Sequence, residues 1–304
     1  MLRDYAEVLT RARQLGQVTI SVAVAQDKDV LEAVKAAQDV GLARALLVGD
    51  EAAIRPMLAL VGLPEDTPVV HEPDSALAAL AAVSLVREGQ ADILMKGLLN
   101  SSEFLRAVLD AGVGLRTGRL LSHLAAFEIA GEEKMFFHTD SGMNIAPTLE
   151  EKKDILINAM LALNALGIER PNVAVLTANE VVNPKMPATV DAKALVDMSA
   201  AGELPPGVVE GPIAMDVALN PEAARHKGLI SEISGKVDLF LMPNIETGNS
   251  VGKALMYYAK AKMAGIVLGA THPVVMTSRA ESAEGKLNSI ALAALMAGGV
   301  RKRG

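Results

Sequence analysis

The residues with the clearest chemical potential are Ser278 and Arg279, in a short polar stretch near the C-terminus. Two apolar runs precede them, at 266–268 and 274–276, and a helical pattern of apolar residues follows. This order predicts that the pair lies between a strand and the N-terminus of a helix. Backbone N–H groups at that end of a helix are free and attract anions. With the planar guanidinium of Arg279 beside them, they form a good site for a phosphate or carboxylate group.

A purely structural interpretation of the same pair is also open. Ser278 and Glu281 fit the S-x-x-E capping box, in which the serine caps the first turn and the glutamate caps the serine in return. Arg279 would then be an ordinary solvated residue of the first turn. An arginine is disfavoured at the positive end of a helix, however, and this favours an anion close by.

Other polar stretches lie where open α/β sheets bind ligands, beyond the carboxyl ends of strands. Lys96 ends an apolar run, and residues 243–249 separate a strand pattern from a helix expected at 251–263. Residues 116–119 carry two arginines that could bind anions, and residues 140–141 are an aspartate and a serine that could be catalytic. Each stretch could equally be a plain connection or an exposed turn, so the sequence alone leaves both interpretations open.

The elements that must position these residues alternate between strands and helices. Strand patterns lie at residues 18–25, 45–48, 69–70 and 92–96, with helical patterns between them. This alternation predicts βαβ units and a parallel sheet, so the fold class is α/β. Two closely spaced strands, at 120–129 and 135–138, predict an antiparallel pair. We expect a discontinuous first α/β domain, 1–139 plus 266–304, and a second α/β domain at 140–265.

Composition narrows the possible functions. The chain has 304 residues, of which 51% are apolar and only 3% aromatic, so the core must be aliphatic, as in parallel sheets that are buried on both faces. A net charge of −7 without a long basic run argues against nucleic acid as a partner. The absence of cysteine excludes disulfides, thiolate metal sites and a cysteine nucleophile. No signal-peptide core or membrane-spanning run is present, so we expect a cytoplasmic protein with no membrane partner.

Familiar nucleotide and metal motifs are missing from the sequence. No G-x-G-x-x-G follows a strand, and G-N-S-V-G-K-A at 248–254 is one residue short of a P-loop and lacks its final Ser/Thr. His123 and His138 fall on strand patterns, where we expect core residues with satisfied hydrogen bonds, and His272 could face the site or cap a turn. No convincing cluster of carboxylates or histidines that would hold a divalent metal is found.

Seven stretches, taken in order, resemble the phosphate acetyl/butyryl transferase family, and the resemblance is closer to its butyryl branch. They cover nearly the whole chain, and it is the ordered set that is specific. The stretches are D-I-L-M-K-G (92–97), L-R-T-G-R-L-L-S-H (115–123), T-D-S-G-M-N-I-A-P (139–147), V-V-N-P-K-M-P-A-T (181–189), G-P-I-A-M-D (211–216), P-N-I-E-T-G-N (243–249) and T-S-R-A-E-S-A-E-G-K-L-N-S-I (277–290).

The resemblance implies a two-domain α/β/α fold like that of isocitrate and isopropylmalate dehydrogenases, with the site in the interdomain cleft and the C-terminal helix in the first domain. It implies reversible transfer of a short acyl group, butyryl or similar, from acyl-CoA to inorganic phosphate, which gives acyl phosphate and CoA. Coenzyme A is then a substrate, and no cofactor is expected. The family also implies a homo-oligomer, a dimer or larger.

Residue roles follow from the same resemblance. In the acetyl branch a Ser-Arg pair binds and activates the reactants, and it corresponds to Ser278 and Arg279. The family's proposed base is an aspartate at the position of Gly285, so Glu284 beside it becomes the candidate here. An acyl-pocket cysteine of the acetyl branch corresponds to Ser141. The catalytic candidates are thus Ser278, Arg279 and Glu284, and the substrate-binding candidates are Lys96, Arg119, Asp140, Ser141, Asn144, Glu246, Gly248 and Asn249.

The chemistry requires little more than positioning and charge stabilisation. Phosphate is already an anionic nucleophile at neutral pH, and CoA leaves as a thiolate with a reference pKa of about 8.5. A base helps only in the reverse direction, where the CoA thiol must lose its proton. Because cysteine is absent, we expect direct transfer in a ternary complex. The alternatives are a metal-dependent NAD(P) dehydrogenase of the same fold and a non-catalytic protein that binds acyl-CoA or phosphate.

Overall fold

The computed structural model describes residues 1–277 and 281–301. The chain forms two compact units. We name the units by the place of their main segments in the sequence. The outer unit comprises Asp4–Arg119 and the chain from Met263 onward, and the central unit comprises Leu120–Lys262 with Met1–Arg3. The expected boundary at residue 140 lies twenty residues beyond this one. The difference arises because the strand at 136–139 hydrogen-bonds to a strand of the central unit at 239–241.

The first part of the outer unit alternates between strands and helices, as predicted. Its elements are α1 (Tyr5–Gln14), β1 (Val18–Ala23), α2 (Lys28–Asp39), β2 (Ala43–Gly49), α3 (Glu51–Val61), β3 (Val69–His71), α4 (Ser75–Arg87), β4 (Ile93–Lys96) and α5 (Ser101–Val108). The four strands are parallel, in the order β3-β2-β1-β4. Asp27, Asp50 and Asp74 begin α2, α3 and α4, and each side chain accepts a backbone N–H of the first turn.

The strands of the central unit pair with one another. Its elements are β5 (Ser122–Glu128), β6 (Phe136–Thr139), α6 (Leu149–Ala165), β7 (Asn172–Leu176), α7 (Pro187–Ala200), β8 (Val208–Ile213), α8 (Met215–Leu219), α9 (Pro221–His226), β9 (Leu239–Leu241) and α10 (Ile245–Tyr257). The strand order is β5-β6-β9-β7-β8. β5 and β6 form the predicted antiparallel pair, and the other pairings are parallel. Thr148 and Glu151 form the capping box that the sequence predicts at the start of α6.

The chain then completes the outer unit with β10 (Lys262–Leu268), β11 (Val274–Val275) and α11 (Ala283–Arg301). β11 lies parallel to β4 and antiparallel to β10, so the sheet of this unit runs β3-β2-β1-β4-β11-β10. Residues 290–297 of α11 are buried, and the helix packs against α1 and α2 as the centre of the core. Within the part of the chain that the structure describes, no helix combines the length and hydropathy needed to span a bilayer.

The start of α11 differs from the prediction. α11 begins at Ala283, where the Ser282 hydroxyl accepts the N–H of Gly285 at 3.1 Å, so the capping box of Ser278 and Glu281 does not start this helix. Asn100 is the N-cap of α5, and its side chain makes no capping hydrogen bond within the described part of the chain. Ser278 and Arg279 themselves lie outside the described residues.

Candidate active site

Asp140 is the centre of a hydrogen-bonded turn that follows β6 in the central unit. Its side chain is buried, with 3% of the residue exposed. Its two carboxylate oxygens accept four hydrogen bonds. The donors are the backbone N–H groups of Gly142 (2.8 Å), Met143 (2.9 Å) and His123 (3.1 Å), and the side-chain amide of Asn144 (2.6 Å). A buried carboxylate with four donors is fully satisfied. Asp140 therefore shapes the turn at 140–144 and joins it to β5.

The helix α10 starts against this turn. Asn244 caps it by accepting the N–H of Thr247 at 2.9 Å. A Cβ atom on Gly248 would lie 2.7 Å from the carbonyl oxygen of Asp140 and 2.8 Å from Cα of Ser141, so only glycine permits this approach. The hydroxyl of Ser141 is buried and has no hydrogen-bond partner among the described residues. Such a hydroxyl is costly unless it is satisfied, and a bound group would satisfy it.

The predicted polar connection before α10 is wrong. Residues 245–249 form the beginning of the helix, six residues earlier than expected at 251. This places Gly248 against the turn, while Glu246 and Asn249 are exposed. The side-chain amide of Asn249 lies 3.5 Å from the carbonyl oxygen of Ser141, which is a long contact. The structure thus brings Asp140, Ser141, Asn144, Gly248 and Asn249 together.

Two histidines accompany this part of the central unit. The ring of His138 is buried between those of Phe127 and Phe240, with centroids 4.7 Å and 5.5 Å away. Burial lowers the pKa of His138 to about 3. Burial also lowers the pKa of His123, against the opposing effect of the Asp140 charge. His138 is 2% exposed, which confirms it as a core residue. Nδ1 of each ring is buried without a hydrogen-bond partner among the described residues, which differs from the satisfied hydrogen bonds that we expected.

Lys96 lies at the carboxyl end of β4 in the outer unit. Its ammonium donates to the carbonyl oxygen of Leu99 at 2.9 Å and to that of Gly97 at 3.3 Å. A Cβ atom on Gly97 would lie 2.2 Å from the carbonyl oxygen of Val24, so glycine is required here. Val24 itself has a φ of 57°, a strained conformation for a β-branched residue. The end of β1 therefore holds the loop of Lys96 in place at a conformational cost.

A small polar cavity lies beside Lys96. It has a volume of about 20 Å³. The described residues that line it are Asp27, Asp29, Val30, Lys96, Gly97, Thr277 and Lys286. Thr277 directly precedes Ser278 in the sequence, and Ser278 and Arg279 lie outside the described residues.

Sequence reasoning missed Lys286, which is only 4% exposed. A signal was nonetheless present. Lys286 precedes Ile290 by four residues and Ala293 by seven, and both are buried, so helical periodicity places its side chain on the buried face of α11. A lysine on such a face is unusual and deserves a functional explanation.

The remaining predicted residues belong to the outer unit. Arg119 is half-buried at the end of a loop that is fastened to the chain after β10, where Thr117 donates to the carbonyl oxygen of Gly269 at 2.5 Å. Glu284 is exposed at the second position of α11. Across the described residues, no group of three or more His, Cys, Asp or Glu side chains could hold a metal ion.

Comparison with known proteins decides the family. Residues 66–294 match the family described as Phosphate acetyl/butaryl transferase. The chain belongs to this family. It is 49% identical over 299 residues to the phosphate butyryltransferase of Clostridium acetobutylicum, which covers 98% of this chain and 99% of that one. The predicted family is therefore confirmed, and the protein is an enzyme, a phosphate acyltransferase.

Solved structures agree with the predicted fold class. A branched-chain phosphotransacylase from Enterococcus faecalis superposes with a TM-score of 0.81 at 34% identity, covering 92% of this chain and 99% of that one. A 4-hydroxythreonine-4-phosphate dehydrogenase from Klebsiella pneumoniae superposes with a TM-score of 0.56 at 15% identity, covering 93% and 99%, and shows a likeness of fold alone. The α/β fold shared with dehydrogenases is confirmed, and the family match does not favour a dehydrogenase activity.

Proposed function

We propose that this enzyme transfers a short acyl group, butyryl or similar, between CoA and inorganic phosphate. The observation that carries the proposal is the 49% identity to a phosphate butyryltransferase over nearly the whole of both chains. In this proposal acyl-CoA and phosphate give acyl phosphate and CoA. Coenzyme A acts as a substrate, and the reaction uses no cofactor.

The cationic candidates among the proposed site residues belong to the outer unit. By resemblance, Ser278 and Arg279 bind and activate the reactants. Lys96 sits at the carboxyl end of a parallel strand with its ammonium fixed by two carbonyl oxygens. Arg119 is a second candidate cation for the phosphates of the substrates. These groups suit a reaction in which two anions must be positioned and charge on the thioester carbonyl must be stabilised.

The members of the polar turn in the central unit have different roles in this proposal. The carboxylate of Asp140 is used by four donors, so we assign it the role of holding the turn. The side-chain amide of Asn144 donates both to Asp140 and to the carbonyl oxygen of Leu121 at 3.0 Å, which makes it a second positioning residue. Ser141, with its unsatisfied hydroxyl, is the member that we assign to substrate contact.

The proposed step is a direct transfer. An oxygen of phosphate attacks the thioester carbonyl, the tetrahedral intermediate collapses, and CoA leaves as the thiolate. In the reverse direction the thiol of CoA must lose a proton, and the exposed carboxylate of Glu284 is our candidate acceptor. The family resemblance offers no other candidate for the general base, because Gly285 occupies the position of the family's aspartate.

The mechanism is tested by kinetics and exchange. Direct transfer requires sequential initial-rate patterns when butyryl-CoA and phosphate are varied together. It also requires that the enzyme alone does not exchange label between butyryl-CoA and free CoA. Parallel-line kinetics with rapid exchange in the absence of phosphate would indicate an acyl-enzyme and contradict direct transfer.

Product analysis tests the function itself. Purified enzyme is incubated with butyryl-CoA and phosphate, and acyl phosphate is trapped with hydroxylamine as the hydroxamate. We expect equal amounts of hydroxamate and free CoA thiol. Binding of butyryl-CoA without either product would favour the non-catalytic alternative.

We further propose, from the family resemblance, that the enzyme is a cytoplasmic homo-oligomer of two or more copies. A monomeric mass in light scattering would contradict that oligomeric state.

A further inference from the structure

Lys286 is a buried cation with a poor ion pair. Among the described residues its carboxylate partner is Asp29, at 3.5 Å, and the Asp29 side chain is 60% exposed. The matched case in the central unit is Lys152, similarly buried, whose ammonium lies 2.6 Å from Asp191. Removing an ammonium from water is costly unless its partners are close and well aligned. Lys152 meets that condition and Lys286 does not.

The position of Lys286 in its helix adds to this cost. It is the fourth residue of α11, whose N-terminus carries the positive end of the helix dipole. A cation in the first turn of a helix is repelled by that end, whereas an anion is attracted. A buried lysine at this place is therefore better explained by a bound anion than by the helix itself.

The carboxylates that line the same cavity are stabilised by another helix. Asp27 caps α2 and accepts the N–H of Val30 at 3.1 Å, and Asp29 belongs to the first turn of α2. Negative charge is favoured at that helix end, so both carboxylates are accounted for locally. The ammonium of Lys286 then gives the cavity a preference for an anionic oxygen, and Lys96, which is held by the carbonyl oxygens of Gly97 and Leu99, adds a second positive charge.

The size of the cavity limits what can enter it. A volume of about 20 Å³ is roughly what one water molecule needs. A single phosphoryl oxygen has a similar size, so the cavity suits one oxygen of a larger group.

We infer that this cavity binds one phosphoryl oxygen of a substrate between the ammonium groups of Lys286 and Lys96. The inference rests on the proposed function, in which inorganic phosphate and CoA both carry such oxygens. The chemistry of the cavity suits either source. Lys286 thereby becomes a substrate-binding residue, and its charge is satisfied when the substrate is present.

The primary test is Lys286→Met, which keeps most of the length of the side chain and removes the charge. We expect the KM for phosphate or that for butyryl-CoA to rise about ten- to hundredfold, as for loss of a charge-assisted hydrogen bond, with a smaller change in kcat. A rise confined to phosphate identifies inorganic phosphate as the source, and a rise confined to butyryl-CoA identifies the CoA phosphates. A variant that folds normally and keeps both KM values overturns the inference.

Two further variants separate binding from folding. Lys152→Met removes the matched buried lysine of the central unit and should lower the melting temperature while leaving both KM values unchanged. Asp29→Asn should lower the KM that Lys286→Met raises, because it removes a carboxylate that competes for the ammonium. If Lys286 only pairs with Asp29, then Asp29→Asn will not lower either KM, and the inference fails even where Lys286→Met does not fold.

Stabilisation of the protein by a bound ligand tests the inference without a measurement of turnover. Inorganic phosphate or CoA should raise the melting temperature of the wild type, and Lys286→Met should lose most of that rise for one of them. If the wild type forms no acyl phosphate yet shows this difference, the proposed function fails while the anion site stands. Equal stabilisation of both proteins by both ligands contradicts the site.

Discussion

Two buried charged side chains, one in each unit, differ in the hydrogen bonds and ion pairs that they make. Asp140 in the central unit accepts four hydrogen bonds at 2.6–3.1 Å. Lys286 in the outer unit has one carboxylate at 3.5 Å among the described residues, and it lines a cavity. A saturated charge has no capacity left for a ligand, so it organises backbone. An undersatisfied one retains affinity for a partner, which in this enzyme we identify with substrate.

The largest effect that this comparison predicts is on folding, at Asp140. Asp140→Ala leaves four donors without their acceptor, and we expect the free energy of unfolding to fall by about 3–5 kcal/mol. Denaturant unfolding measures this loss in the free energy of unfolding. The matched control is Asp154→Ala, since the Asp154 carboxylate accepts a single backbone hydrogen bond among the described residues, from Leu120 at 3.1 Å, and its loss should cost about 1–2 kcal/mol. Similar losses in the two variants would show that Asp140 does not organise the turn.

The next effect concerns pH and the buried ring of His138. With a pKa of about 3, this histidine stays neutral in the folded protein, whereas its pKa in the unfolded chain is about 6.5. Above pH 6.5 both states are neutral and His138 contributes no pH dependence. Between pH 6.5 and about 3 only the unfolded state binds the proton, so stability falls as the pH falls, by about 1.4 kcal/mol per pH unit.

A substitution isolates that contribution. His138→Phe should unfold with a shallower pH dependence than the wild type, and the difference at pH 5 should reach about 2 kcal/mol. Carboxylates titrate in both proteins and cancel in the comparison. His226→Gln, at an exposed position, should leave the wild-type dependence in place. Parallel curves for wild type and His138→Phe would mean that His138 can be protonated in the folded state.

The smallest of these effects is at Gly248, where the turn and α10 meet. Gly248→Ala places Cβ 2.7 Å from a backbone oxygen, so α10 or the turn must shift, at about 1–3 kcal/mol of stability and with a lower kcat. Gly252→Ala in the same helix meets the side chain of Phe127 at 3.3 Å, which can yield. The higher helix propensity of alanine stabilises this variant by about 1 kcal/mol, which offsets much of the cost of that contact. Equal kcat in both variants would show that the close contact at Gly248 is not needed for activity.

Features encoded by local sequence pattern were predictable. The alternation of β1 to β4 with helices, the antiparallel pair of β5 and β6, and the box of Thr148 and Glu151 each follow from residues close in the chain. The start of α10 was missed because the glycine, asparagine and serine residues at 248–250 are poor helix formers, and tertiary contact with Ser141 overrides that preference.

The candidate site was only partly predictable for a related reason. Asp140 and Ser141 could be named from their neighbours, but the four donors that define the role of Asp140 come from two elements, β5 and the turn itself. Lys286 was missed because its significance depends on α2 and β4, which lie nearly two hundred residues or more away in the chain. Periodicity marks it as buried, but only the fold shows what it faces.

The most direct test of the proposed function is the initial rate of CoA release from butyryl-CoA, measured as phosphate is raised from zero to saturation. The assay contains a chelator and no nicotinamide. We predict a rate that is negligible without phosphate and rises to a plateau as phosphate saturates the enzyme. Release that is independent of phosphate, or that requires a divalent metal or a nicotinamide cofactor, would contradict phosphate as the acyl acceptor.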